Sequence, residues 1–300
     1  MSDYISHEDM MSIPAMEVGD ASKLAANPVV TVIMMTYNHE PYIAQAIEGV
    51  VMQQCDFPIE LLIGEDCSTD RTRNICLEYQ RRYPHLIRLI TSETNVGMNK
   101  SMLRLFGRVK GRYIALCEGD DYWTDPEKLR KQMAFLEANK DFTICFHKVT
   151  ILKDGQLVED YITKAPPPVT NVRELSRRNY IHTCSSVFRN HVQKLPTWFN
   201  AKLNACDYPL HMILAERGKI NYMPTLMATY RVHSGGNFSG ARPEQLMRGN
   251  LSLLKVLLTN FPDKTVRVYL AIQLLSAAYH LFLLRTRNKL FSDTSGSNQA

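Results

Sequence analysis

Three carboxylates fall within four residues, Glu118, Asp120 and Asp121, directly after the apolar run Arg112-Tyr113-Ile114-Ala115-Leu116-Cys117. Carboxylates this close repel one another, and folding alone gives no reason to set them at the end of a strand. A hard divalent cation does. Mg2+ or Mn2+ typically takes one or two protein carboxylates and completes its shell with water and phosphate oxygens. A solvated acidic turn is the plain alternative for the triplet taken by itself. Two more polar clusters, Thr36 to Glu40 and Gly64 to Ser68, also follow apolar runs, so the triplet has company.

The elements that must position these clusters follow from the hydrophobic period. Val29 to Met35, Ile59 to Ile63, Leu86 to Ile90 and Arg112 to Cys117 are short, near-continuous apolar runs, as buried parallel strands are; Phe142 to Val149 reads as a further strand. Between them lie helical spacings: Ile43, Ile47, Val50 and Val51 after Pro41; Thr72, Ile75, Cys76 and Tyr79; Met102, Leu105, Phe106 and Val109. Ser68 or Thr69 is expected to cap the second of these helices, and Thr124-Asp125-Pro126-Glu127 has capping-box spacing ahead of a helix through Leu136. Strands alternating with such helices predict an α/β fold built on a mainly parallel sheet with flanking helices. Ligands bind such sheets beyond the carboxyl ends of the strands, where all three polar clusters fall.

Composition narrows the function classes. With 45% hydrophobic and 22% charged residues the chain is globular, and a net charge of +5 is too small to argue for nucleic acid. Seven cysteines without a CxxC pair read as thiols in a reducing compartment. The N-terminus lacks a basic start followed by an apolar core, so the cytoplasm is the expected location. Residues 1–27 show no period and are expected to form a mobile leader.

From about Val29 to about Ser239 the chain resembles the glycosyltransferases of family 2. The resemblance rests on Thr31-Val32-Ile33-Met34-Met35-Thr36-Tyr37-Asn38, Glu65-Asp66-Cys67-Ser68-Thr69-Asp70-Arg71-Thr72, Asn95-Val96-Gly97, Glu118-Gly119-Asp120-Asp121-Tyr122-Trp123, Cys206-Asp207-Tyr208-Pro209-Leu210 and Tyr230-Arg231-Val232-His233-Ser234. No one segment is specific; six in the expected order are. The resemblance implies the GT-A nucleotide-sugar fold over residues 28–240, with a nucleotide-binding half (28–125) and an acceptor half (126–240). It implies an inverting, metal-dependent hexosyl transfer from a nucleotide-diphosphate sugar, UDP-linked by family preference, to a saccharide or lipid-linked saccharide in assembly of a bacterial surface polysaccharide such as capsule or O-antigen.

The same resemblance suggests roles residue by residue. Thr36, Tyr37, Asn38, Glu40, Asp66, Asn95, Gly97, Glu118, Gly119 and Arg231 would contact the nucleotide, with Asp66 accepting the N3–H of a pyrimidine. Asp120, Asp121 and His233 would hold Mn2+ or Mg2+, Asp120 foremost. Asp207 would be the base that takes the acceptor's proton. Two departures bear on this. Glu118 stands where relatives usually carry aspartate, and Cys206 stands where many carry glutamate. Asp121 could instead brace its loop, and Asp207 could simply cap a helix. Gly235-Gly236 suits a mobile loop closing over a diphosphate.

Residues 241–290 form a helical extension and 291–300 a polar tail expected to be disordered. Val268 to Leu284, flanked by Arg267, Arg285, Arg287 and Lys289, is short for a spanning helix. It suits peripheral contact with an anionic membrane surface, packing on the domain, or pairing in a homo-oligomer. Two other functions stand beside transfer: a sugar-nucleotide-binding scaffold, and a nucleotidyltransferase. The second would normally show a Gly-rich basic loop after the first strand, where this chain has Thr36-Tyr37-Asn38-His39-Glu40.

Overall fold

The computed structural model describes residues 4–199, 203, 205–236 and 239–296. In chain order the elements are α1 (His7–Met11), β1 (Met16–Val18), β2 (Val30–Thr36), α2 (Ile43–Val51), β3 (Ile59–Glu65), α3 (Thr72–Arg82), β4 (Ile87–Thr91), α4 (Met98–Phe106), β5 (Tyr113–Leu116) and β6 (Tyr122–Trp123). There follow α5 (Lys128–Ala138), β7 (Phe142–Lys153), β8 (Gln156–Glu159), β9 (Val169–Thr170), α6 (Val172–Leu175), β10 (Val187–Arg189), α7 (Asp207–Ala215), β11 (Lys219–Val232), α8 (Pro243–Asn260) and α9 (Lys264–Gly296).

The sheet runs β1-β4-β3-β2-β5-β10-β7-β11-β6, with β8 on β7 and β9 on β11. Its four-strand heart, β4-β3-β2-β5, is parallel throughout, as the buried apolar runs require. Beyond β5 the sheet becomes mixed. β10 is antiparallel to both β5 and β7, while β7 and β11 pair in parallel along most of their length. The expectation of a mainly parallel sheet therefore holds for the first half and gives way to a mixed sheet in the second. A strand as short as β10 carries too few residues to show a period. Apolar side chains pack on both faces: Ile33, Leu62, Ile114 and Phe188 on one, Val32, Leu61, Ile63 and Ala115 on the other.

Three local expectations are corrected. Residues 4–27 pack on the domain rather than forming a mobile leader; residues 1–3 lie outside the described residues. Ser6 makes a capping box with Asp9 at α1, Met10 is fully buried, and β1 covers the edge of β4 while Glu17 pairs with Arg88 at 2.8 Å. Neither Ser68 nor Thr69 caps α3; Asp70 does that work, accepting from the Thr72 and Glu40 backbone N–H groups at 2.9 and 3.0 Å. No capping box opens α5, whose start is set by Asp125 accepting from Glu127 N–H at 2.8 Å.

Helices α8 and α9 form a hairpin, with α9 packed against α6. Leu254, Leu257, Phe261, Val266 and Leu270 enter the core, so one face of the extension is packed against the domain. Helix α9 continues through Gly296, into the stretch expected to be disordered, and residues 297–300 lie outside the described residues. All seven cysteines are unpaired.

Candidate functional site

Strands β2, β3 and β5 end side by side, and each delivers one polar cluster to the same rim. The β2 cluster is tied to the β3 cluster by backbone-directed side chains. Asn38, in the left-handed region at φ 55°, accepts from Thr69 N–H at 2.8 Å, and Glu40 accepts from Arg71 N–H at 3.0 Å. These two residues, expected at the nucleotide, hold the two loops together. Tyr37 is 41% exposed and presents its ring outward.

Asp66 closes β3 and is buried. Its oxygens accept from Val96 N–H at 3.1 Å and Gly97 N–H at 2.9 Å, and Arg104 pairs with it at 3.2 Å. Gly97, at φ 83°, permits the turn that aims these N–H groups, and Asn95 accepts from the same Gly97 N–H at 3.0 Å. Asp66 therefore organises the 95–97 loop. About one of a carboxylate's four acceptor positions is left for a base.

At the end of β5 the three acids take different environments. Asp120 meets His233 Nε2 at 3.1 Å, and His39 Nε2 lies 3.8 Å away. Burial opposes its charge, but the His233 hydrogen bond and the two imidazoles hold its pKa below the ordinary carboxylate value. Asp121 turns inward, accepting from Arg231 N–H at 2.8 Å, and burial together with Asp120 pushes its pKa well up. This bond braces the loop, the alternative open for Asp121 beside metal contact. Glu118 is driven well above the usual range by burial, then by the charges of Asp121, Asp120 and Asp207.

Gly119 lets these parts come together. A Cβ there would sit 2.7 Å from Thr36 Oγ1 and 2.9 Å from His39 Nδ1. Both of those atoms, and Glu118 Oε2, are buried without a hydrogen-bond partner among the described residues. Unpaired buried polar atoms are costly and rare, and three around one glycine point to a ligand that satisfies them.

Arg231 is held from several sides. Its Nε donates to Asp120 O at 2.7 Å, another nitrogen donates to Gln45 at 2.8 Å, and its guanidinium lies over Tyr42 and Tyr122 at 4.7 and 5.3 Å. His233 packs on Tyr42 at 4.6 Å, and Ser239 closes the following turn on the His233 backbone. Asn237 and Phe238, in the loop expected to close, lie outside the described residues.

Asp207 is the first residue of α7, with Thr183 Oγ1 at a long 3.5 Å from its carboxylate. Its charge acts on Glu118, the first acid of the rim. Cys206, where a carboxylate was the family expectation, is buried in the core.

Among the described residues no group of three or more His, Cys, Asp and Glu side chains stands ready-made for a metal. The pair Asp120–His233, with His39 3.8 Å from Asp120, nonetheless fits a cation that takes few protein ligands and fills its shell with phosphate and water. A cation there would favour the charged forms of the acids around it.

His39, Tyr42, Gln45, Arg104 and Thr183 belong to this site but were not singled out in the sequence. His39 stands inside the Thr36–Glu40 cluster and could have been chosen. Arg104 could not: a lone arginine between Leu103 and Leu105 reads as the solvent side of a helix.

Comparison with known proteins agrees with this fold. The chain is 38% identical over 219 residues to an uncharacterised protein of Mycobacterium tuberculosis, the match covering 70% of this chain and 61% of that relative. It thus spans about three fifths of the length of that relative. It is 29% identical to the putative teichuronic acid biosynthesis glycosyltransferase TuaG of Bacillus subtilis, covering 65% of this chain and 80% of TuaG. In fold it is similar to S. aureus TarS in complex with UDP-GlcNAc, at TM-score 0.63 and 20% identity over 84% of this chain and 72% of that one. The model of glycosyl transferase family 2 matches residues 31–195, more than half of the sequence, and the chain belongs to that family.

Proposed function

We propose that this chain transfers a hexose from a nucleoside-diphosphate sugar, a UDP-sugar first among them, to the hydroxyl of a saccharide or lipid-linked saccharide. The transfer inverts the anomeric centre and uses Mn2+ or Mg2+, and its setting is the assembly of a bacterial surface polysaccharide at the cytoplasmic face of the membrane. One observation carries the reading. Asp120 meets His233 where β5 ends, the unpaired Thr36 Oγ1 and His39 Nδ1 flank the neighbouring Gly119, and the charges of Asp120 and Asp207 act on Glu118. TarS, similar in fold, is described with UDP-GlcNAc, and TuaG is named for teichuronic acid biosynthesis; the first supports the donor and the second the setting.

The chemistry divides among residues already in place. Asp120 and His233 would hold the cation, which supplies Lewis-acid neutralisation of the departing diphosphate. Arg231, its plane fixed by Tyr42 and Tyr122, offers its guanidinium to phosphate. Asp207 takes the acceptor's proton as the acceptor oxygen bonds to the anomeric carbon. The bond from that carbon to the diphosphate oxygen breaks on the opposite face, and inversion follows from this in-line geometry.

Thermal unfolding of the protein with UDP, TDP, GDP or CDP, each with Mn2+ and with EDTA, tests the donor side. A ligand that binds only the folded state raises the melting temperature. A shift with UDP that needs the metal supports the reading, and a shift with another base reassigns the donor. No shift with any nucleotide would sink it.

A further inference from the structure

Helix α9 carries on its outer side a row of large apolar residues with no covering element among the described residues. Val268, Ile272, Leu275, Tyr279 and Phe282, spaced alternately four and three residues apart, are each 56–71% exposed. Isolated exposed apolar residues are ordinary; a continuous row along four turns of one helix marks a contact surface. Lys264–Thr286 is also long and apolar enough to cross a membrane. It is not free to do so. Val266 and Leu270 are buried in the core, and Gln273 donates to Ser176 O at 2.6 Å and to the Tyr208 hydroxyl at 3.2 Å. One face belongs to the domain, so only the other can meet an apolar phase.

Charge decides which phase. Residues 264–286 contain no carboxylate, and their charged side chains, Lys264, Arg267 and Arg285, stand at the two ends. By helical spacing Arg267 and Arg285 share one flank of the row. On the other flank lies a groove of about 560 Å3, which shares Ile272 with the row. Arg177, Asn250, Gln273, Ser276 and His280 line this groove, and no carboxylate does. The Arg177 guanidinium lies 4.4 Å from the Tyr269 ring and donates to the Tyr269 hydroxyl. Glu174 lies 3.8 Å from it, and Glu244 pairs with Arg285 at 3.1 Å, so the cations are partly compensated on the protein side.

We propose that the outer face of α9 docks in the plane of an anionic phospholipid membrane, its apolar row entering the acyl boundary and the Arg177 groove receiving a lipid phosphate. This deepens the reading of a membrane-side acceptor and rests on it. Both flanks then meet the headgroup layer, as an interfacial helix requires. Gln273, which lines the groove, donates to Tyr208, the residue after Asp207, so the docked helix is tied directly to the start of α7.

The test is flotation of the full chain with vesicles of phosphatidylcholine alone and of phosphatidylcholine with about one third phosphatidylglycerol. Binding is expected only to the anionic vesicles, and lost on raising the salt. Leu275→Glu/Phe282→Glu is expected to remove it while keeping the wild-type melting temperature and nucleotide-dependent shift. Arg177→Ala is expected to weaken it about fivefold, the effect of one basic residue near such a surface. Three results overturn the proposal: no flotation with anionic vesicles, flotation undiminished in the double variant, or a stable dimer in light scattering that the double variant converts to monomer. Each can occur with the metal-dependent nucleotide shift intact, so failure of docking is distinct from failure of the transferase reading.

Discussion

Asp120 and His233, 113 residues apart in the chain, meet at 3.1 Å. The contact joins the end of β5 to the end of β11, and Arg231 strengthens it by donating to the Asp120 backbone two residues before His233. Acid loop and C-terminal loop thus close on each other over the unpaired Thr36 and Glu118 oxygens.

Separating the two partners should show which holds the cation. Asp120→Asn is expected to abolish the metal-dependent part of the UDP thermal shift, and EDTA should do the same to the wild type. His233→Ala should weaken nucleotide affinity by about tenfold, about 1.4 kcal/mol. Titration calorimetry with UDP and Mn2+ checks both; an Asp120→Asn protein that keeps its metal dependence would remove Asp120 from the site.

Asp207→Asn keeps the shape at the start of α7 and removes the base. Transfer is expected to fall by about a hundredfold or more, with UDP affinity within a factor of about two of wild type. Turnover at a tenth of wild type or better would assign the proton to another group.

Arg104 is fully buried and binds Asp66, Ser92, the Glu65 carbonyl and Ser101 at once. Arg104→Met leaves the Asp66 carboxylate buried beside a neutral side chain, and about 3–5 kcal/mol of stability should be lost. Lysine should restore little, because a point charge cannot reproduce the fork of donors. Urea unfolding of both variants is the measurement. A loss below about 1 kcal/mol would mean the 95–97 loop stands without this support.

The stability contributed by the buried histidines should fall on mild acidification, opposed by Glu118 and Asp121, whose raised pKa values favour the fold as pH falls. Burial lowers the pKa of His211 to about 4, against the opposing pull of the Asp207 charge. His147 is lowered by burial in the same direction. A histidine held neutral in the fold has a folded pKa below its unfolded value of about 6.5, so the unfolded chain binds more protons between the two. The contribution of these two histidines is therefore insensitive to pH above that window and decreases as pH falls through it. His211 alone should contribute a loss of about 2 kcal/mol between about pH 7 and about pH 5. His211→Gln should flatten the profile; an unchanged slope would place the sensitivity elsewhere.

The alternation of apolar runs and helical spacings was enough to predict β2, β3, β4 and β5 as parallel strands with the Thr36, Asp66 and Glu118 clusters at their ends, because a buried parallel strand must be apolar along its length and must end where polar residues begin. Their order β4-β3-β2-β5 came from the structure. The ordered recurrence of six short segments identified the family. Pairings between distant segments were decided by tertiary structure. No local signal shows that Met10 fills a core pocket, that Arg104 turns inward to Asp66, or that Asp121 faces Arg231 while its neighbour Asp120 faces His233. Adjacent acids in sequence are chemically equivalent. Burial and the partners brought by β11 make one a candidate ligand and the other a brace. The same limit applied to α9, whose composition suits a core, a bilayer or a partner, until packing of Val266 and Leu270 left Leu275 and Phe282 outside.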